Sequence, residues 1–148
     1  MSAQYWINKL NLERHPEGGW YKRVHTSEKI QPTDRGDRNQ FTSIYYLLEQ
    51  GDYSAWHRIQ SEELWAWHAG DTLAVHTLVG DSVATIELGA DCLQHTVPAK
   101  HWFASQLASK EHGFCLVSCV VSPGFDFADF EMAQDSDIPA AWQHLVRA

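Results

Sequence analysis

Cysteine is scarce in this 148-residue sequence, which contains only Cys92, Cys115 and Cys119. No Cys-x-x-Cys spacing is present, so the usual zinc-ribbon and dithiol redox motifs are excluded. If Cys115 and Cys119 share a strand, their Cα atoms lie about 13 Å apart at roughly 3.3 Å per residue, which is too far for a disulfide. We therefore expect three free thiols, and an odd count favours a reducing compartment.

Basic residues are also few. The 11 Lys and Arg are outnumbered by 19 Asp and Glu, which gives a formal net charge of −8. No basic stripe is visible, so binding to nucleic acid or to an anionic membrane surface is disfavoured. No apolar run is long enough to span a membrane, and residues 1–6 lack the basic and apolar regions of a secretory signal. The cytoplasm is the expected location.

Two kinds of catalytic motif are missing. No Gly-x-Ser-x-Gly elbow occurs, which disfavours a nucleophilic serine triad. The pair Gly18-Gly19 does not by itself form a glycine-rich phosphate loop. Neither acyl transfer nor nucleotide binding is indicated.

Hydrophobic residues, in contrast, make up 44% of the chain and include seven Trp, six Phe and five Tyr. This is enough to bury a core, and the length suits a single domain over residues 1–148. In a small barrel such rings could serve as core filler or as the wall of a cavity. Composition alone leaves both interpretations open.

Short strand patterns repeat along the chain. Residues 41–48, rich in β-branched and aromatic side chains, form the clearest one. Glycine, aspartate and proline turn signals at spacings of roughly 8–12 residues separate the others. These are residues 19–27, 53–59, 64–68, 72–79, 83–88, 94–97, 101–107 and 114–121. The spacing favours an all-β sandwich or barrel over alternating strands and helices.

The remaining segments predict two short helices and a loop. Residues 5–12 have the apolar spacing of an amphipathic helix. Residues 138–146 predict a second helix, with Asp137 as its N-cap and Pro139 in its first turn. The polar residues 30–39 predict a surface loop, whose mixed Asp and Arg charges keep it solvated.

One segment places chemically useful side chains at regular intervals. Gly51, His57, Glu63 and Gly70 follow one another in that order, and Ile59 lies two residues after His57. His57 and Ile59 therefore share one face of a strand, to which Glu63 can return after a turn at residues 60–62. If that face is interior, the imidazole and the carboxylate converge there. They would serve either as two ligands of a metal site or as a base with an orienting carboxylate.

This spacing resembles the first motif of the cupin superfamily, with Ile59 in the place of the second histidine. Residues 98–103 resemble the second motif, but Lys100 replaces its glycine and Phe103 its last histidine. The resemblance implies an all-β cupin fold, a double-stranded β-helix or jelly-roll barrel, here with short N- and C-terminal helices. Two of the four usual metal ligands are missing.

Other segments resemble one branch of the superfamily, a family of small stand-alone cupins without a known function. The segments are residues 16–21, 43–48, 56–58, 61–65 and 122–131, and the resemblance extends over about residues 10–131. This family is similar in fold to the dTDP-sugar 3,5-epimerases. That similarity implies a homodimer or a higher homo-oligomer.

His57 and Glu63 are the candidate catalytic residues. The resemblance suggests that Glu17 points toward the pocket, and Arg23 is expected to fix polar groups at its mouth. An alternative for Glu63 is a structural salt bridge with Arg23 or Arg58. Some of the aromatic rings, otherwise core, are candidates for stacking on a sugar or base: Tyr45, Trp65, Phe103 and Phe127.

No cofactor is firmly predicted. His57 and Glu63 provide two metal ligands, whereas protein metal sites generally need three or more. His101, His95 or Gln94 could supply another, although none lies at the ligand position of the motif. A divalent metal therefore remains an alternative.

The leading hypothesis is a small-molecule-binding cupin. In its catalytic form it is a metal-independent isomerase or epimerase of a carbohydrate-like ligand. In it, His57 removes a proton next to a carbonyl, and Glu63 orients His57 or holds a substrate hydroxyl. A base that needs no metal tolerates Ile59 and Phe103. The alternatives are a metal-dependent enzyme of the oxygenase type and a non-catalytic ligand-binding or sensor module. No general acid can be identified in the sequence.

Overall fold

Antiparallel strands dominate the computed structural model, which describes residues 1–146. The strands are β1 (Glu13–Arg14), β2 (Trp20–Thr26), β3 (Ile30–Thr33), β4 (Gly36–Asn39), β5 (Thr42–Glu49), β6 (Tyr53–Arg58), β7 (Glu62–Gly70), β8 (Leu73–Val79), β9 (Ser82–Leu88), β10 (Gln94–Val97), β11 (Phe103–Leu107), β12 (Phe114–Ser122) and β13 (Glu131–Met132). They form a six-stranded sheet in the order β1-β2-β5-β12-β7-β10 and a five-stranded sheet in the order β13-β6-β11-β8-β9. The predicted all-β jelly-roll barrel is confirmed.

The main core lies between these two sheets. It is built from the inward side chains of the central strands, since alternate residues of a strand point to the same face. Its buried members are Tyr46, Leu48, Trp65, Leu73, Val75, Leu88, Val97, Phe103, Cys115, Val117 and Cys119. Cys92, Cys115 and Cys119 are free thiols, as the sequence predicts.

The N-terminal helix is confirmed as α1 (Ala3–Lys9). It begins at Ser2, whose hydroxyl accepts a hydrogen bond from the backbone N–H of Tyr5 at 3.1 Å, as an N-cap does. Ile7 of this helix packs with Leu47 and Leu116 against the outer face of the six-stranded sheet. Strand β5 is therefore covered on both faces over part of its length.

The predicted helix over residues 138–146 is wrong. Within the described residues this segment consists of turns, preceded by a single 3-10 turn at Asp135–Asp137. The hydrogen bonds from Trp142 N to Pro139 O and from Leu145 N to Trp142 O span three residues rather than four, so no α-helix forms. The turns still bury Ile138 on the outer face of the second sheet.

The predicted loop over residues 30–39 is also wrong, because β3 and β4 pair as a hairpin outside both sheets. Its arginines are not merely solvating charges. Arg35 and Arg38 both bind the buried carboxylate of Asp129. These bonds tie the hairpin to the segment around the 3-10 turn at Phe127–Asp129.

No helix within residues 1–146 has the length and apolar character needed to cross a membrane.

Candidate active site

A cavity of about 110 Å³ opens between the two sheets at one end of the barrel. Its walls come from β2, β5, β6, β7 and β12 and from the segment that follows β12. They comprise His15, Glu17, Tyr21, Arg23, Thr42, Ile44, His57, Ile59, Glu63, Cys119, Val121, Phe125, Phe127 and Phe130. A narrower chamber of about 40 Å³ adjoins it beside Tyr46, Ser54 and Trp65. His57 and Glu63 line both spaces, so the structure brings the two together.

His57 lies on β6 with its side chain turned inward, 6% exposed. Its Nδ1 is 2.7 Å from the carbonyl oxygen of Ala55, which can only accept, so Nδ1 carries the proton. Nε2 is left with its lone pair. Phe103 and Phe130 enclose the ring, with centroids 4.2 Å and 5.4 Å away. This burial lowers the pKa of His57 to about 4, because it disfavours the charged form.

Glu63 lies on β7, where it pairs across the sheet with Val121. Cys119, two residues from Val121 on the same face of β12, forms a hydrogen bond with the Glu63 side chain. Burial raises the pKa of Glu63 to about 7, and the electrostatic interaction with the Glu17 carboxyl adds to that rise. Glu63 can therefore both hold and release a proton near neutral pH. Burial also raises the pKa of the Cys119 thiol well above its ordinary range.

Glu17 enters the cavity from the turn between β1 and β2. The turn is held by the hydroxyl of Tyr46, which donates to the carbonyl oxygen of Gly18 at 2.8 Å. Gly18 has a φ of +105°, and a Cβ at this position would lie 2.4 Å from the carbonyl oxygen of Tyr53, so only glycine fits. Burial raises the pKa of Glu17 to about 7.

His15 is a further titratable group of the cavity wall. Its Nδ1 accepts the backbone N–H of Glu17 at 3.1 Å and lies 3.2 Å from the Oε2 atom of Glu17. The ring packs edge-on against Tyr21 and Tyr46. Burial lowers the pKa of His15 to about 4, so the imidazole is neutral near pH 7.

Arg23 and Phe127 lie at the mouth. Arg23 is exposed on β2, and its Nη1 donates to the hydroxyl of Thr26 at 3.0 Å. Phe127 is 63% exposed and meets Phe125 edge-on at 4.9 Å. Neither Arg23 nor Arg58 pairs with Glu63, since Arg58 binds Glu131 instead.

The structure keeps two of the candidate aromatic residues away from the cavity surface. Ile44 and Tyr46 face inward, so Tyr45 between them faces outward, where it packs with α1 and meets His68 at 6.3 Å. Phe103 is 1% exposed and lies behind His57, opposite it in the pairing of β11 with β6. Trp65 borders only the narrow chamber.

Sequence reasoning missed His15, Tyr21 and Phe130. Tyr21 could have been found, because it is two residues from Arg23 and a strand places alternate residues on one face. His15 immediately precedes the Pro-Glu-Gly-Gly turn, but nothing in the sequence shows which way the ring points. Phe130 follows Asp129, which the distant hairpin binds, so its place at the cavity depends on contacts that are remote in sequence.

The donors of this cavity do not fit a cupin metal centre. Hydrocarbon side chains, Ile59 and Phe103, occupy two of the four motif positions, so only His57 and Glu63 remain as donors of the motif. His101 is not among the residues that line the cavity. Among residues 1–146, no three or more His, Cys, Asp or Glu side chains are arranged to hold a metal ion.

Comparisons with known proteins extend over nearly the whole chain. The family model described as Cupin_5, Cupin superfamily (DUF985), matches residues 4–133. A hypothetical protein from Leishmania major is 36% identical with a TM-score of 0.85, over 92% of this chain and 89% of its own. Protein SO0799 from Shewanella oneidensis is 34% identical with a TM-score of 0.87, over 99% and 95%. The uncharacterized protein YML079W from Saccharomyces cerevisiae is 32% identical over 98% of this chain and 80% of its own.

Proposed function

The chain belongs to the DUF985 family of the cupin superfamily, and from that premise we propose that it binds a small carbohydrate-like molecule in its cavity and moves a proton on that molecule without a metal ion. The reaction is an isomerisation or epimerisation next to a carbonyl. One observation carries the proposal. A neutral imidazole and two carboxyls with a pKa of about 7 converge in one cavity whose residues do not fit a metal centre.

Glu63 is the base in this proposal. A catalytic base works best when its pKa lies near the working pH. Burial raises the pKa of Glu63 to about 7 but lowers that of His57 to about 4. The roles are therefore the reverse of those inferred from sequence: Glu63 takes the proton from carbon, and Nε2 of His57 accepts a hydrogen bond from a substrate hydroxyl.

The walls support a carbohydrate-like ligand. Sugars present hydroxyls on their edges and C–H groups on their faces, so their sites combine polar groups with aromatic rings. Here the polar groups are His57, Glu17 and Glu63, and Tyr21 and Phe125 bring aromatic rings to the same cavity. Arg23 at the mouth would bind an exposed polar or anionic substituent. Phe127 would cover the ligand from the exposed side.

The test is deuterium uptake from heavy water into D-fructose, D-ribulose and dihydroxyacetone, followed by proton NMR. We expect uptake at the carbon next to the carbonyl, and a loss of about 100-fold or more in Glu63→Gln. Glu62→Gln is the matched control, because Glu62 is the preceding residue and is exposed. It should keep the rate of the native protein.

No uptake with any member of the panel, together with a ligand-induced rise in melting temperature, would overturn catalysis in favour of a binding or sensor module. Uptake that disappears with EDTA and returns with a divalent metal would overturn the metal-independent mechanism. Uptake that survives in Glu63→Gln would overturn the assignment of the base.

Homodimerisation in the cytoplasm is part of the proposal. Three apolar side chains are exposed on β2, at the start of the β3–β4 hairpin and just before β5: Val24, Ile30 and Phe41. Such a group on a protein surface is typical of a contact with another chain. Light scattering should give twice the monomer mass, and Phe41→Glu should give monomers. A monomeric native protein would overturn this part.

A further inference from the structure

The turn that carries Glu17 is built to hold a carboxyl inside the cavity. Glu17 belongs to a surface turn, yet only 12% of its side chain is exposed. The turn is fixed by the hydrogen bond from Tyr46 to Gly18 and by the close approach of Gly18 to Tyr53. Burying a carboxyl costs several kcal/mol unless it is paired or protonated. The position therefore calls for a role beyond closing the turn.

His15 is in direct contact with that carboxyl. Its Nδ1 accepts the backbone N–H of Glu17, so this nitrogen carries a lone pair and no proton. The same lone pair lies 3.2 Å from Oε2 of Glu17. An ionised carboxylate would place an oxygen lone pair against that of Nδ1. A protonated one donates to Nδ1, which then accepts from both the backbone N–H and the carboxyl O–H of Glu17. The contact therefore favours the acid form of Glu17.

Glu63 is in the opposite situation. The thiol of Cys119 donates to its carboxylate, which favours the ionised form. The two carboxyls also interact electrostatically, so ionising one makes ionising the other harder. Burial raises the pKa of each to about 7. Near pH 7 the pair therefore holds about one proton, and the His15 contact of Glu17 and the Cys119 contact of Glu63 both favour its residing on Glu17.

We infer that Glu17 is the proton donor of this cavity, and that His15 is the positioning residue that holds its proton ready for the ligand while Glu63 acts as base. The inference rests on the proposed function. It supplies the general acid that the sequence does not identify.

The two carboxyls exchange protons with the ligand in two steps. The Glu63 carboxylate takes a proton from the carbon next to the carbonyl, and the electron pair of that C–H bond becomes the C=C bond of an enediol. Glu17 gives its proton to the carbonyl oxygen, which accepts it with the former π electron pair. Glu63 then returns its proton to the former carbonyl carbon. Glu17 takes back a proton from the hydroxyl on the carbon that Glu63 deprotonated, and that hydroxyl becomes the new carbonyl. Both carboxyls are restored, and no oxidant is needed.

Titratable and charged groups face Glu17 from every strand around it. They are His15 of its own turn, Tyr21 and Arg23 of β2, Tyr46 of β5, His57 of β6, Glu63 of β7 and Cys119 of β12. Arg23 is the one cationic side-chain type in this set, and it lies exposed at the mouth. The interior therefore offers Glu17 no cation to stabilise its ionised form.

The protonation state can be measured without a substrate. Carbon-13 NMR of protein labelled at the glutamate carboxyls should show a resonance titrating near pH 7 that is absent in Glu17→Gln. In His15→Phe, which keeps the ring contacts with Tyr21 and Tyr46, this midpoint should fall by about half a unit or more. A rise in His15→Phe, or a native midpoint near 4.5, would mean a His–Glu ion pair or an ordinary carboxylate, and either would overturn the inference.

A second measurement does not depend on the folding of a variant. Nitrogen-15 shifts of the native protein near pH 7 should show Nδ1 of His15 as an unprotonated nitrogen. An imidazolium spectrum would overturn the inference.

The donor role is tested with the same panel of ketoses. Glu17→Gln should lower deuterium uptake about 100-fold with KM changed only a few-fold, and Glu17→Asp should recover part of it. Glu28→Gln, at an exposed position, is the control. Uptake kept in Glu17→Gln but lost in Glu63→Gln would overturn the donor role and leave the proposed function standing. No uptake in the native protein would overturn the proposed function and the donor role together, while the titration still decides where the proton resides.

Discussion

Arg38 holds Asp129 with two hydrogen bonds of 2.9 Å, from Nε to Oδ2 and from Nη2 to Oδ1. Arg35 adds a third at 3.2 Å. Asp129 immediately precedes Phe130, whose ring lies at 26° to that of His57. A hairpin outside the barrel thereby sets the position of an aromatic wall of the cavity.

Asp129→Asn should destabilise the protein by about 2–4 kcal/mol near pH 7, because it leaves two arginines beside a buried site without their carboxylate. Asp34→Asn is the matched control. Asp34 binds Arg35 from an exposed position and should contribute less than about 1 kcal/mol. Urea unfolding monitored by tryptophan fluorescence measures both.

The stability of the native protein and that of Asp129→Asn should depend differently on pH. Hydrogen bonding to Arg38 holds the pKa of Asp129 below its ordinary value of 3.8. The stabilisation by ionised Asp129 is therefore complete above pH 3.8 and is lost as the pH falls through the lower pKa that Asp129 has in the folded state. The stability difference between the native protein and Asp129→Asn should shrink in acid. An undiminished difference at about pH 2 would contradict this prediction.

Glu63→Gln should stabilise the protein at about pH 8, by roughly 1–3 kcal/mol. The pKa of Glu63 is about 7 in the folded state and 4.5 otherwise, so the unfolded chain binds fewer protons between these values. Stability is lost as the pH rises through that window, and the amide removes the loss. Urea unfolding at about pH 5 and pH 8 measures the effect, with Glu62→Gln as control. A Glu63→Gln protein less stable than the native protein at the higher pH would contradict this prediction.

His57→Gln should reduce the loss of stability in weak acid. The folded-state pKa of His57 is lowered to about 4 from 6.5, so its contribution is present above 6.5 and lost as the pH falls toward 4. Across this window the free energy of unfolding should change less with pH in the variant than in the native protein. His112→Gln, at an exposed position, should leave the pH dependence unchanged. Equal pH dependence in the native protein and His57→Gln would contradict the prediction.

Protein purified without a histidine tag should contain less than one transition metal ion per chain, and Ile59→His should gain zinc affinity by about tenfold or more. The substitution adds a third donor on the face of the strand that carries His57, and three donors are the usual minimum of a protein zinc site. Elemental analysis and competition with a chelating dye are the measurements. A stoichiometric native metal that is lost in His57→Ala would contradict it.

Much of the fold follows from local patterns. The strand segments have period-two or β-branched sequences between turn signals, and these features act over a few residues. The exceptions depend on distant partners. Residues 30–39 form a hairpin although their polar sequence suggests a loop, and Arg38 of this hairpin binds Asp129, which lies 91 residues away in the sequence.

Which side chains of a strand point into the barrel is harder to infer when both faces of the strand are covered. Tyr45 and Tyr46 are neighbours of similar chemistry, and β5 has apolar residues at odd and even positions alike. The helix α1 covers one face while the other forms the core. Alternation therefore gives no sign of which tyrosine is inside, and Tyr45 was wrongly expected at the cavity.

By itself the sequence determined the barrel and the convergence of His57 with Glu63, because strand periodicity and a short turn act within a few residues. Only the tertiary structure decided the chemistry of the cavity. Burial by strands far apart in sequence moves the pKa of Glu17 and Glu63 to about 7 and that of His57 to about 4. A side chain's protonation depends on the dielectric and the charges around it, and these exist only once the chain has folded.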